Sequence, residues 1–257
     1  MHHKEIIEKL IEISEIAGNA ILNIYSSEDG DFEIDYKNDN SPLTKADRAS
    51  DRIICENLKM IDKTIPILSE EGRNIEYDER KQWKKFWLVD PLDGTKEFIK
   101  KNGEFTVNIA LIEDGYPILG IVHAPVLKVT WYGSIETGSY IIKESKKESI
   151  KVTSPNADSI IKVVSSRSHL NNPKLEEFLK TIKNYELVRM GSSIKICLVA
   201  DGSVHYYPRF GPTMEWDTAA AHAVVKFAGG NILNLNNDEE LTYNKKILLN
   251  PEFLVHY

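Results

Sequence analysis

The chain has 257 residues, 42% of them hydrophobic and 28% charged, with a formal net charge of −7. That length builds one large α/β domain or two closely joined lobes around a sizeable core. The acidic balance, without a basic face, argues against general nucleic-acid binding, no apolar run is long enough to span a bilayer, and Cys55 and Cys197 lie in apolar stretches, as reduced core thiols of a cytosolic protein do.

From Lys4 to Tyr25, Ile6, Ile7, Leu10, Ile13, Ala17, Ala20, Ile21 and Ile24 recur at helical spacing, without a signal-peptide pattern. This is a packing helix rather than a membrane-surface one, because its polar face is acidic as well as basic. Phe32 to Lys37 reads as a short strand. A helix then opens at Thr44-Lys45-Ala46-Asp47 and runs to about Met60, with Thr44 or Ser41 as its cap and Asp47 in the first turn. Ile65 to Ser69 is a strand, Gly72 to Lys85 an exposed excursion, and Phe86 to Val89 the next strand. Phe105–Glu113 and Tyr116–Ala124 flank Asp114-Gly115, a hairpin signal. Val129–Tyr132 and Ser139–Ile142 continue the strands. The charged stretch Lys143–Lys151 reads as a connector, dividing an N-terminal lobe of about 1–145 from a C-terminal lobe of about 150–257. After it the pattern alternates: strand Ile161–Ser165, helix Pro173–Ile182, strand Leu187–Met190, helix Ser192–Ala200, short strand Ser203–Tyr206, and a helix from Glu215 to Ala228 stopped by Gly229-Gly230.

The chemistry lies where these elements end. Asp90-Pro91-Leu92-Asp93-Gly94-Thr95 places two carboxylates three positions apart after an apolar strand. Pro91 stiffens the chain between them and Gly94 allows a tight turn. Carboxylates held this way repel each other unless a cation sits between them, and hard oxygen ligands suit Mg²⁺. Glu70 at a second strand end and Asp217 at a helix start complete a proposed metal set of Glu70, Asp90, the Leu92 carbonyl, Asp93 and Asp217. Thr95 offers a hydroxyl to orient a water. Asp47 either accepts from Thr95 or only caps its helix, and the sequence leaves these two even. Gly191-Ser192-Ser193-Ile194-Lys195 opens a helix after a strand. With Ser165–His169 and the Arg209 loop it reads either as ordinary polar loop or as a cationic wall facing the metals. P-loop, dinucleotide-fold, His-Glu-x-x-His and nucleophile-elbow patterns are all missing.

Glu70-Glu71, Asp90-Pro-Leu-Asp93-Gly-Thr95 and Trp216-Asp217-Thr218-Ala219-Ala220 resemble the hallmark of the Mg²⁺-dependent, lithium-sensitive phosphatase superfamily of inositol monophosphatases and fructose-1,6-bisphosphatases. Ser41–Asp47, Gly94–Phe98, Ser166–His169, Gly191–Lys195 and Tyr207–Thr213 are similar to the bacterial 3′(2′),5′-bisphosphate nucleotidases. Met214-Glu215 departs from that pattern at positions that are not ligands. The resemblance implies a layered α/β/α/β/α sandwich and a Mg²⁺ cofactor. It also implies hydrolysis of the 3′-phosphate of adenosine 3′,5′-bisphosphate (PAP) to AMP, and action on its sulfate ester PAPS. Glu70, Thr95 and Asp47 would act in catalysis. Gly94, Thr95, His169, Ser192, Lys195 and Arg209 would meet the substrate. The expected partner is a small-molecule nucleotide, and the expected location cytoplasmic, with peripheral attachment to the inner membrane face left open. Monomer and homodimer both stay open. The alternatives are an inositol or broad sugar phosphatase and, in another class, a non-catalytic binder of anionic nucleotides.

Overall fold

The computed structural model describes residues 3–27, 32–36, 42–156, 159–167 and 172–257. Helix α1 (His3–Tyr25) is followed by a two-strand ribbon, β1 (Asp35–Tyr36) and β2 (Pro42–Leu43), and by α2 (Lys45–Ile61). Then come β3 (Ile67–Ser69), a one-turn helix α3 (Tyr77–Arg80), β4 (Lys85–Asp93) and the short α4 (Thr95–Ile99). A meander follows: β5 (Thr106–Glu113), β6 (Tyr116–Ala124), β7 (Val129–Ser134), β8 (Gly138–Lys143) and β9 (Lys146–Ser149). The last part holds β10 (Ile161–Ser165), α5 (Pro173–Lys180), β11 (Tyr185–Arg189), α6 (Ile194–Ala200), β12 (Tyr206–Arg209), α7 (Glu215–Phe227), β13 (Asn231–Asn234) and β14 (Phe253–His256).

Strands β3 to β9 form one sheet in sequence order, and the second sheet runs β11-β10-β12-β14-β13. Alternation along the central strands explains the layering. Trp87, Val89, Ile109 and Leu111 face a core shared with Ile6, Leu10, Ile13, Ala17 and Ile21 of α1 and Ile54 and Leu58 of α2. Their neighbours Phe86, Leu88, Ala110 and Ile112 face the opposite core, with Ile196 and Val199 of α6, Ala220 and Val224 of α7, and Phe253 and Val255 of the second sheet. A sheet buried on both faces reads as a continuous apolar run, and here that run divides by parity. Helix α5 covers the far side of the second sheet through Leu175 and Leu179 on Val163. The result is the α/β/α/β/α sandwich that the resemblance implied.

Helix α7 sits close because glycines let it. Gly120 and Gly133 are paired across β6 and β7. A Cβ built on Gly120 would lie 2.3 Å from the Ala220 carbonyl oxygen, and one on Gly133 2.7 Å from that of Ala223. The alanine-rich face of α7 and the bare backbone of the two strands therefore fit each other.

Two expectations are corrected, and two strands are added. Strand β4 does not stop at Val89: it continues through Asp93, with a register shift against β5 between Asp90 and Asp93. Pro91 has no N–H to give the ladder, and Ser50 Oγ donates to its carbonyl (2.7 Å), which anchors the irregularity to α2. The charged stretch after Ile142 is not a connector. Glu144 and Ser145, both at positive φ, turn the chain into exposed edge strand β9, which pairs with β8. Charged residues along an edge strand discourage further pairing, and their polarity reads as loop. The added strands, β13 and β14, close the second sheet after Gly230, a stretch in which local pattern names no element. Among the described residues no helix is long and apolar enough to cross a membrane.

Candidate active site

Oxygens of Glu70, Asp90 and Asp217 all lie within 4.8 Å of one another. They come from three places: the residue after β3, the irregular end of β4, and the first turn of α7. Glu70 is held by its backbone, whose N–H donates to the Val89 carbonyl at 3.1 Å. Asp90 is buried and accepts from the Leu92 amide at 3.0 Å. Burial drives its carboxyl well above the usual range, and Glu70, Asp93, Asp217 and Asp47 push it the same way. Asp217 is also raised well above the usual range, by burial and then by Asp93 and Glu70, with the Met214 N–H and Arg209 pulling back. One buried and two partly buried carboxylates at this spacing, crowded by more carboxylates, fit a hard divalent cation.

Asp93 lies beside this trio rather than inside it. Its carboxylate accepts from the backbone N–H of Ser193 and, at 3.5 Å, from the Asn108 amide. Burial pushes its pKa up to about 6, while Lys195 and the Ser193 N–H hold it down. Asp47 does both things the sequence left open. One oxygen accepts from the Thr44 N–H (2.7 Å) and hydroxyl (2.5 Å), and the other accepts from the Thr95 hydroxyl (3.2 Å). The Leu92 carbonyl faces the same hydroxyl at 3.3 Å. Thr44, not Ser41, caps α2, accepting from Ala46 N at 3.2 Å; Ser41 lies outside the described residues. Gly94 caps α4 at φ 96°, where a Cβ would also press on the Glu104 carbonyl oxygen at 3.1 Å.

Across from the carboxylates a cleft of about 180 Å³ is lined by Asp93, Gly94, Ser192, Lys195, Arg209 and Asp217. Lys195 is not a solvated loop charge. It is buried, donates to the Ser192 carbonyl (2.5 Å), and lies 5.4 Å from the Tyr207 ring centre. Burial brings its pKa down to about 8, and Asp93 partly restores it. Arg209 bonds the Gly211 and Pro212 carbonyls at 3.2 and 3.0 Å. Arg167, expected in the same cationic wall, is paired with Glu104 through two bonds of 2.7 and 2.5 Å. The wall is therefore narrower than the sequence suggested. His169 lies outside the described residues. A wider arm of about 850 Å³ opens on the other side of Asp93, Gly94 and Asp217, past Glu70, Thr95, Trp216 and Leu249.

The model of the inositol monophosphatase family matches residues 2–255. The chain belongs to the inositol monophosphatase family. Among the similar members, the 3′(2′),5′-bisphosphate nucleotidase CysQ of Salmonella typhimurium is 44% identical over 252 residues, covering 97% of this chain and 98% of its own. CysQ of Escherichia coli K12 is 42% identical over the same shares of both chains. In structure, CysQ of Bacteroides thetaiotaomicron superposes with a TM-score of 0.84 at 44% identity, covering 97% of this chain and 96% of its own. The Thermotoga maritima IMPase, 21% identical with a TM-score of 0.79 over 98% of this chain and 92% of its own, shares the fold.

This family member carries supports that sequence reasoning missed. Glu215, fully buried, takes the Asn244 N–H (2.6 Å), the Lys245 N–H (2.9 Å) and the Lys245 ammonium (2.7 Å). Asn250 donates to the Met214 carbonyl at 2.8 Å. Together they tie the segment after β13 to the start of α7, the turn that carries Asp217. Glu104 bonds the Gly191 N–H at 2.8 Å as well as Arg167. No spacing in the sequence signals these pairs, because their partners are up to 87 positions apart.

Proposed function

We propose that this protein hydrolyses the 3′-phosphate of adenosine 3′,5′-bisphosphate, giving AMP and phosphate, with Mg²⁺ as cofactor. The observation that carries the reading is the carboxylate cluster of Glu70, Asp90 and Asp217 beside a cleft that Asp93 and Asp217 share with Lys195 and Arg209. The near full-length likeness to proteins named as 3′(2′),5′-bisphosphate nucleotidases supports the choice of substrate.

Glu70, Asp90 and Asp217, with Asp93 and the Leu92 carbonyl, are the residues that would hold the metal. Bound there, Mg²⁺ would lower the pKa of water and offset charge on the phosphoryl oxygens. The chain's own groups set the rest. The Thr95 hydroxyl donates its hydrogen bond to Asp47, which would leave the lone pairs of the Thr95 oxygen to accept from an attacking water. Glu70 lines the same side of the cleft and would take that water's second hydrogen bond. Asp47, in turn, is held by Thr44, so the Asp47–Thr95 pair is preorganised before substrate arrives. Lys195 and Arg209 would neutralise the 5′-phosphate that is not cleaved. The 5′ sulfate ester of the same nucleotide presents a similar anion to them, which extends the reading to PAPS.

The experiment is steady-state phosphate release from adenosine 3′,5′-bisphosphate, its 2′,5′ isomer and inositol 1-phosphate. The reading expects the highest kcat/KM on the bisphosphates. A clear preference for inositol 1-phosphate would overturn the nucleotide substrate and leave the metal cluster standing.

A further inference from the structure

Ser192 sits at the tip of the loop that leads into α6, at φ 47°, a left-handed conformation that a non-glycine residue rarely adopts. Such a tip keeps its shape only if it is held from both sides. On one side the Ser193 N–H donates to Asp93, and the Ser193 hydroxyl meets Asn108 Oδ1 at 2.9 Å and the Thr106 hydroxyl at 2.8 Å. On the other side the hold is Glu104. Its carboxylate takes the Gly191 N–H at 2.8 Å, and the backbone there is so close that a Cβ on Gly191 would lie 2.8 Å from the Glu104 carbonyl oxygen and 2.7 Å from Glu97 Cγ. The same carboxylate grips Arg167 through both guanidinium edges. These bonds hold the Glu104 carboxyl below the usual range against the opposing effect of burial, so it stays ionised at neutral pH.

Glu104 thus joins three pieces of chain: the segment that follows Gly94 and α4, the exit of β10, and the loop between β11 and α6. The last carries Ser192 and Lys195 into the cleft. We propose that Glu104 is a positioning residue for substrate selectivity: braced by Arg167, it fixes the Gly191–Lys195 loop so that Lys195 faces the uncleaved phosphate. The assignment of that phosphate rests on the nucleotidase reading above; the latch itself does not.

Two measurements on the full chain test it. In kinetics, Glu104→Ala raises KM for adenosine 3′,5′-bisphosphate roughly tenfold or more, the scale of one lost charge-assisted contact, with KM for 3′-AMP and kcat on both substrates nearly unchanged. Arg167→Gln adds nothing further in the Glu104→Ala background, because Arg167 acts only through Glu104. Equal losses on both substrates, or an Arg167→Gln penalty that persists without Glu104, would overturn the selectivity role. In hydrogen exchange without substrate, Glu104→Ala speeds exchange across residues 190–196, and the β5–β6 amides keep their protection. Unchanged exchange at 190–196 would overturn the latch even if the substrate proves to be another phosphate ester. If the latch is seen but wild type prefers inositol 1-phosphate, the substrate reading fails and the positional claim survives.

Discussion

At the scale of single residues the site is an arrangement of charge that burial makes costly. Asp90 and Asp217 are carboxylates taken from water into a place where their neighbours are also acidic. Their raised pKa values fix a sign. A carboxylate whose folded pKa lies above its unfolded value contributes stability that is present at low pH and lost as pH rises through the folded value. The metal-free protein therefore carries an electrostatic penalty that grows as pH rises through the folded values of these carboxylates, about 6 for Asp93 and well above the usual range for Asp90 and Asp217. A cation held by the cluster would relieve that penalty, and protons would compete with it at lower pH. The rise in Tm on adding Mg²⁺ should accordingly be large at pH 8 and shrink towards pH 5. Taking the difference with and without Mg²⁺ removes the histidines, such as His123, whose pKa burial brings down to about 4. A Mg²⁺-induced Tm rise that is equal at both pH values would contradict the cluster. The cationic wall gives a second prediction. Arg209→Ala should lower kcat/KM on adenosine 3′,5′-bisphosphate roughly tenfold to a hundredfold, as for loss of a charge-assisted bond to phosphate, and affect 3′-AMP far less. Lys195→Ala should do the same. Because Lys195 also holds down the Asp93 pKa, its removal should in addition move the acidic limb of the pH–rate profile to higher pH. An unmoved limb would mean that Lys195 and Asp93 do not interact in the working enzyme.

At the scale of elements, the question is how two sheets and a helix deliver residues 70, 90 and 217 to one point. Helix α7 is set by contact with β6 and β7 at Gly120 and Gly133, and this contact was only half legible. The alanine run after Asp217 announced a helix that packs closely, but not against which strands. Gly120→Ala places a methyl where the Ala220 carbonyl now lies and pushes α7 outward. The expected cost is about 1–3 kcal/mol by urea unfolding, together with weaker Mg²⁺ activation, since Asp217 rides on that helix. Stability loss without any change in Mg²⁺ requirement would separate α7 packing from the site. The sequence carried most helices and strands because apolar period and turn chemistry are local. Asp114-Gly115 formed its hairpin, with both residues at positive φ. It failed where the cause was not local. Strand β4 runs past Pro91 because Ser50 of α2 binds the Pro91 carbonyl, 41 positions away. Strand β9 hid behind its charges. Strand β14 gains its place by pairing with β12 and β13, which no window around residues 253–256 reveals. In the site itself the meeting of Glu70, Asp90 and Asp217 was legible because each lies at an element end. Glu104 and Glu215 were not, since each is defined only by what it meets across the fold.

At the scale of the molecule, the layered sandwich explains why the cleft combines opposite charges. The seven-stranded sheet supplies Asp90 and Asp93, with Glu70 at its edge strand. The second sheet and its adjoining helices supply Lys195 and Arg209, and α7 between the sheets supplies Asp217 to the same opening. Carboxylates on one side can be satisfied by a cation, and cations on the other by an anion, so a phosphate ester with metal completes both. The measurement that bears most directly on this account is the initial rate of phosphate release from adenosine 3′,5′-bisphosphate after the protein has been stripped with a chelator, with Mg²⁺ then added back. The account predicts no release above background in the stripped protein and recovery on Mg²⁺ addition, with Asp90→Asn inactive in both conditions. Undiminished release in the presence of chelator, or full activity in Asp90→Asn, would contradict it.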